Sequence, residues 1–385
     1  MTLGIYVHIP FCVQKCDYCD FVSYPLGKSS STKAYDTDVY VESLLLEAAY
    51  YLGNLNMVGH KIETVYFGGG TPTCLTGGQL FMLLKTMRGF YELSSDAEIT
   101  IEVNPGTVDE NKLDKLLIAG FNRLSIGVQS FKEEDLRFLG RAHEANEINK
   151  AYYAARKAGY KNIGLDLMYG IPGQTEQAWR DNLKDALELS PEHLSLYQLA
   201  FETGTPLYER MNRGEILKPD QDLSAEMYAE AIRILTQNGY RHYEISNFAR
   251  PGYESRHNMR YWQNREYLGL GVSAGGFLDN CRYVNERDLK KYLERIQEGS
   301  KPVCEEEKID LTTAVSEHMF LGLRLLEGVD KALFYKKFGS EIEKYFGPAI
   351  AHLKEIGLVE ETSSHFRLTD RGVFLANNVF IEFLP

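Results

Sequence analysis

Six times in succession, a short apolar run of strand character is followed by an amphipathic stretch of helical character. The runs are residues 4–9, 64–67, 99–103, 123–128, 162–168 and 193–199. Several are almost continuously apolar, as parallel strands covered on both faces are. Stretches 35–51, 78–91, 110–119, 146–158 and 176–189 carry apolar residues at helical spacing, and a further helix is expected over 222–237. Gly120 and Gly159 stand just past two of these helices, where C-caps are expected. The pattern predicts an α/β fold in which six β–α units curl into an open, partial barrel. In such a barrel the chemistry sits at the C-terminal ends of the strands.

The unusual residues fall at those ends. After the first run comes Cys12-Val-Gln-Lys-Cys16-Asp-Tyr-Cys19, a C-x3-C-x2-C spacing with no fourth cysteine close by. A [4Fe–4S] cluster takes one thiolate per iron, so three thiolates leave one iron open. The amino and carboxylate groups of S-adenosylmethionine (SAM) suit that iron, and SAM radical chemistry starts from such a cluster. A structural zinc site would need four closed ligands, and Cys74, Cys281 and Cys304 form no comparable pairs.

Gly68-Gly69-Gly70-Thr71-Pro72 follows the second run. Glycines let a ligand approach the backbone closely, which suits a methionine moiety bound at the cluster. Glu102 is an acid inside an apolar strand. A buried carboxylate needs a partner, here a ligand's ammonium or hydroxyls, or an internal arginine. The same reasoning singles out Gln129, Arg141 and Asp166, the alternative at each being an internal salt bridge or hydrogen-bond network. His8 reads as a core histidine or a support behind the cluster.

Composition narrows the function. At 44% hydrophobic residues the chain is globular, and no apolar run approaches the length of a membrane span. The N-terminus has no basic region or cleavage site and reads as a strand, not a signal peptide. Six cysteines in 385 residues fit a reducing, cytoplasmic compartment. The net charge of −12 argues against a nucleic-acid partner.

Beyond the repeats, segment 239–277 is rich in aromatics, Asn and Arg without clear periodicity, and is expected to cover the barrel mouth. The polar stretch 297–307 is taken as a domain boundary. The tail reads as helices over 311–326, 331–335 and 339–356, a hairpin of 358–361 with 366–368, and a last helix after Asp370. That order is winged-helix-like. From residue 300 onward 10 Lys and Arg face 14 Asp and Glu, so a packing or lid role is favoured over DNA binding. The expected organisation is a barrel over 1–240, a barrel-mouth segment over 241–298, and a C-terminal winged-helix-like α+β domain over 299–385.

Over essentially its whole length the chain resembles the HemN/HemW family of radical SAM proteins. The resemblance is carried by Tyr6-Val7-His8-Ile9-Pro10-Phe11-Cys12 and the cysteine triplet, Gly68–Pro72, Glu102–Pro105, Gly127–Ser130, Asp166–Thr175 and the tail. It implies an open (β/α)6 radical SAM barrel with a [4Fe–4S] cluster on Cys12, Cys16 and Cys19. It also implies that Tyr6, Gly69, Gly70 and Glu102 hold cluster-bound SAM, and that Tyr18, Thr71, Gln129, Arg141 and Asp166 match contacts to a second SAM.

Two features separate the subgroups. The coproporphyrinogen dehydrogenases carry a further cysteine two residues after the third, where Phe21 stands here, and a long N-terminal arm, which is not expected here. His257-Asn258-Met259-Arg260-Tyr261-Trp262 is similar to the haem-binding signature of the chaperone type, with His257 as expected haem ligand. A neutral imidazole ligates haem iron, and flanking aromatics offer flat apolar surface. Where the family usually has a histidine after Tyr267–Gly271, this chain has Gly275. The resemblance therefore implies a haem chaperone serving acceptor haemoproteins, plausibly as a homodimer. The alternatives are radical decarboxylation of coproporphyrinogen III and SAM-dependent methyl transfer.

Overall fold

A computed structural model of the chain describes residues 2–26, 36–54 and 60–385. The six expected runs are strands β1 (Thr2–Ile9), β2 (Lys61–Gly69), β3 (Glu92–Val103), β4 (Arg123–Gln129), β5 (Ile163–Tyr169) and β6 (His193–Gln198). All five neighbouring pairs, β1 with β2 through β5 with β6, are parallel. Helices α1 (Thr37–Asn54), α2 (Gly77–Phe90), α3 (Glu110–Ala119), α4 (Ala145–Ala158) and α5 (Glu176–Leu189) alternate with them. The expected start of the first helix, residue 35, lies outside the described residues.

Local chemistry explains the boundaries. Thr76 and Gln79 form a capping box that starts α2, and Asp109 caps α3 by accepting the Lys112 N–H. Gly120 and Gly159 end α3 and α4 as left-handed caps. The helices bury their apolar faces on a core that includes Ile5, Phe67, Ile101, Leu124, Leu165 and Trp179.

The segment without periodicity departs from expectation. It forms β7 (Arg241–Glu244), β8 (Asn247–Ala249), a short helix (Arg256–Trp262), β9 (Tyr267–Leu270), β10 (Gly275–Leu278) and β11 (Cys281–Asn285). β8 pairs antiparallel with β6 and β7 with β8, extending one edge; β9 pairs parallel with β1 and extends the other. Strands of three to five residues are too short for a period to be read. The short helix lies at the barrel floor, not the mouth: Glu98, paired with Thr64 on β2, accepts the backbone N–H groups of Arg256 and His257.

The stretch expected as a boundary also contains structure. Val303–Lys308 is β12, paired antiparallel with β11 at the end of a twelve-stranded sheet. Its three exposed glutamates, Glu305, Glu306 and Glu307, charge an open edge against further strand pairing. The tail follows the expected order. Helices Leu311–Gly322, Lys331–Phe338 and Ile342–Glu355 surround a small sheet of Val329–Asp330, His365–Leu368 and Val359–Glu361. Backbone bonds from Ile245 to Arg324 and from Leu326 to Tyr243 join the tail to β7, and Arg282 grips Glu317 with both guanidinium nitrogens.

Candidate functional site

A cavity of about 510 Å³ opens at the C-terminal ends of the parallel strands. Cys12, Cys16 and Cys19 line one wall. The loop that carries them is pinned at both sides. The Asp17 N–H donates to the Leu139 carbonyl at 3.0 Å, and the Leu207 N–H donates to the Asp17 carbonyl at 2.9 Å. A small apolar cluster of Leu139, Met168, Ile171, Leu199 and Leu207 packs beside Tyr18.

Burial pushes the Cys12 and Cys19 thiols up, Cys19 to about 11. Thiolates here need iron, which deprotonates its thiol ligands, or a nearby cation. Arg141 supplies the cation: its Nη1 lies 3.6 Å from Cys16 Sγ, and Thr71 Oγ1 lies 3.6 Å from Cys12 Sγ. Among the described residues no three His, Cys, Asp or Glu side chains draw together closely enough for a single metal ion. The donor set, three soft thiols spread along one wall beside a cation, fits a polynuclear cluster with an open iron.

The glycine run also has a packing task. The Gly70 N–H donates to the Ile9 carbonyl and the Thr71 N–H to the Phe11 carbonyl. Gly69 has φ +112°, and a Cβ there would lie 2.6 Å from the His8 ring. A Cβ on Gly70 would lie 2.9 Å from Cys12 Sγ and 2.8 Å from the Phe11 carbonyl oxygen. The glycines thus let β2 press against the cysteine loop, as well as leaving room for a ligand.

Glu102 faces the cavity from β3. Its Oε1 accepts the Tyr66 hydroxyl at 2.9 Å and its Oε2 the Gly69 N–H at 3.2 Å. Burial, with Asp166 nearby, raises its carboxyl from the ordinary 4.5 to about 7. Tyr6 lies behind it, stacked on Tyr66 with centroids 6.2 Å apart. Across the cavity, both Asp166 oxygens accept from Ser125 Oγ, at 3.1 and 3.0 Å, and burial raises this carboxyl too. Arg141 donates to the Gly127 carbonyl at 2.8 Å and to the Tyr18 hydroxyl at 3.4 Å. Gln129 stands at the end of β4 with φ 65°, strained backbone of the kind concentrated at ligand sites.

The structure therefore gathers Tyr18, Gly69, Gly70, Thr71, Glu102 and Gln129, with Arg141 and Asp166, around the cysteines. Phe21 is 61% exposed on the cavity rim. Sequence reasoning missed Tyr66, Arg123, Ser125 and Ser195, which also line the cavity. Arg123, Ser125, Gly127 and Gln129 all line it, an inward face of β4 at the period of two that a strand imposes. That alternation was the signal for Arg123 and Ser125.

His257, the expected haem ligand, is 1% exposed and does not line the cavity. Nδ1 lies 2.8 Å from Thr64 Oγ1 and Nε2 lies 2.8 Å from the Tyr261 hydroxyl, so both ring nitrogens are engaged. Burial lowers its pKa to about 3, keeping the imidazole neutral. Trp262, beneath the Arg324 guanidinium at 4.2 Å, gives its ring face to packing. Iron ligation by this histidine requires one of its two ring contacts to open.

An open parallel barrel with three cysteines after its first strand and a buried carboxylate across the cavity defines a radical SAM protein. The radical SAM superfamily model matches residues 6–186 and the HemN C-terminal domain model residues 309–375. The haem chaperone HemW of Bacillus subtilis is 37% identical over 98% of this chain and 98% of its own length. HemW of Escherichia coli is 34% identical over 99% and 98%. Among solved structures, the coproporphyrinogen III oxidase HemN of Escherichia coli superposes with a TM-score of 0.86 at 28% identity, covering 99% of this chain and 89% of that one. The chain belongs to the HemW family of radical SAM proteins. That superfamily implies a [4Fe–4S] cluster and SAM. No helix among the described residues is long and apolar enough to cross a membrane.

Proposed function

We propose that this protein binds haem and delivers it to acceptor haemoproteins, on a scaffold that also holds a [4Fe–4S] cluster and SAM. The observation that carries the reading is similarity along the full chain to haem chaperones, combined with Phe21 at the cavity rim. A bulky apolar side chain stands there, and no thiol follows Cys19 at that spacing.

Cys12, Cys16 and Cys19 hold the cluster. Glu102 accepts from the SAM amino group, with Tyr6 behind it and Gly69 and Gly70 framing the approach. Bound there, SAM and the cluster together supply one-electron chemistry. Tyr18, Thr71, Gln129, Arg141 and Asp166 form a second polar subsite beside the cysteine loop. That subsite, with the likeness to HemN, favours coproporphyrinogen III decarboxylation as the second reading. Six free cysteines fit a reducing, cytoplasmic setting. The homodimer is part of the same proposal and is tested by sedimentation of the reconstituted protein.

Titrating haemin into the anaerobically reconstituted protein tests the reading. A saturable Soret band at one haem per chain supports it. No saturable binding, together with consumption of coproporphyrinogen III by protein, SAM and reductant, would replace it with the enzyme reading.

A further inference from the structure

The motif helix Arg256–Trp262 is fixed to the barrel floor by an unusual number of buried polar contacts. Ser255 caps it, and Glu98 takes its first two backbone N–H groups. Arg260, 1% exposed, binds Glu63 at 2.8 Å and the carbonyls of Thr2 and Glu266 at 2.8 Å each. His257 is thereby held on a rigid platform, with Thr64 and Tyr261 locking its ring plane from both nitrogens.

What that ring touches is Tyr66. The two rings stack at 5.2 Å between centroids with planes 26° apart. Tyr66 in turn donates its hydroxyl to Glu102 and stacks on Tyr6 at 6.2 Å. Gly68 leaves the space for this: a Cβ there would lie 2.9 Å from the Tyr66 ring and 3.0 Å from Glu102 Oε1. The chain of contacts continues to the cysteine loop. His8 Nε2 donates to the Val22 carbonyl at 3.1 Å, so its Nδ1 is the acceptor of a hydrogen bond from the Tyr6 hydroxyl at 3.1 Å.

We propose that His257 is a positioning residue for SAM: through the face of Tyr66 it sets the hydroxyl that orients Glu102 toward the ligand's amino group. The motif helix thereby couples the barrel floor to the cluster site. Without the imidazole face, Tyr66 gains room to tilt and the Glu102 carboxylate loses its fixed donor. The inference rests on Glu102 as the amino-group site.

Equilibrium dialysis of SAM against the cluster-loaded protein tests it in four forms: wild type, His257→Ala, Tyr66→Phe and the double variant. His257→Ala weakens SAM binding about fivefold or more. In the Tyr66→Phe background, where the hydroxyl is already gone, adding His257→Ala changes the dissociation constant by less than about twofold, because the pathway is already cut. His257→Gln, of similar size and polarity, falls between wild type and His257→Ala, and carries the comparison should the alanine variant fail to load its cluster. An unchanged SAM dissociation constant in His257→Ala, or an equal loss in both backgrounds, overturns the proposal. A wild type that binds no SAM would instead overturn the amino-group-site reading.

Discussion

The Tyr66 hydroxyl donates to Glu102 Oε1 at 2.9 Å, while the second Glu102 oxygen takes a backbone N–H from Gly69. Those two donors and the charge of Arg123 do not offset burial and the nearby Asp166, so the carboxyl's pKa rises to about 7. The N–H donors of a bound amino group need the carboxylate. SAM affinity should therefore rise as pH increases from 6 through about 7 and level off above it, with proton release on binding. Without SAM the sign reverses. The raised carboxyl contributes stability below its ordinary 4.5 that is lost as pH rises through about 7. Glu102→Gln weakens SAM binding and removes both dependences, read from dissociation constants and melting temperatures across that range.

Gly70 meets the cysteine loop through atoms that cannot yield. Its added Cβ would sit 2.8 Å from a backbone carbonyl and 2.9 Å from Cys12 Sγ. Gly70→Ala should cost about 1–3 kcal/mol and lower iron content on reconstitution. Gly78→Ala is the control. Its Cβ meets only Thr76 Oγ1 at 3.9 Å, inside a helix, so it should stabilise by up to about 1 kcal/mol. Chemical denaturation and iron analysis of both variants check this.

Cluster assembly should depend on three of the six cysteines. Serine at Cys12, Cys16 or Cys19 abolishes the iron–sulfur absorbance after reconstitution. Serine at Cys281 or Cys304, on the distant strands β11 and β12, leaves it intact. Loss of the cluster in either of the latter would contradict the ligand set.

Arg141 holds a positive charge 3.6 Å from Cys16 Sγ. Arg141→Met removes it and should shift the cluster potential to more negative values, on the order of tens of millivolts. The second polar subsite also loses a donor. A redox titration followed by EPR reads the shift, and an unchanged potential would show that the charge is screened from the cluster.

The barrel was legible in the sequence because its strands are long enough for their apolar runs to be seen, and because Glu102 and Asp166 interrupt them. Tyr66 was invisible: an aromatic in a strand reads as core, and only the fold shows its hydroxyl on Glu102. β7 and β8 were lost because three or four residues carry no period. β12 reads as a domain boundary because an edge strand with Glu305–Glu307 has the composition of one. His257 suits haem iron by residue type; that Thr64 and Tyr261, remote in sequence or one helical turn away, engage its nitrogens is visible only in the fold.

The proposed haem-carrier function is tested most directly by the rate of haem transfer. Haem-loaded, cluster-intact protein is mixed anaerobically with increasing apo-haemoprotein acceptor, and the Soret shift is followed in time. Delivery predicts a rate that climbs with acceptor concentration above the spontaneous loss measured with a non-interacting haem scavenger. A rate fixed at that spontaneous value for every acceptor tried would contradict it.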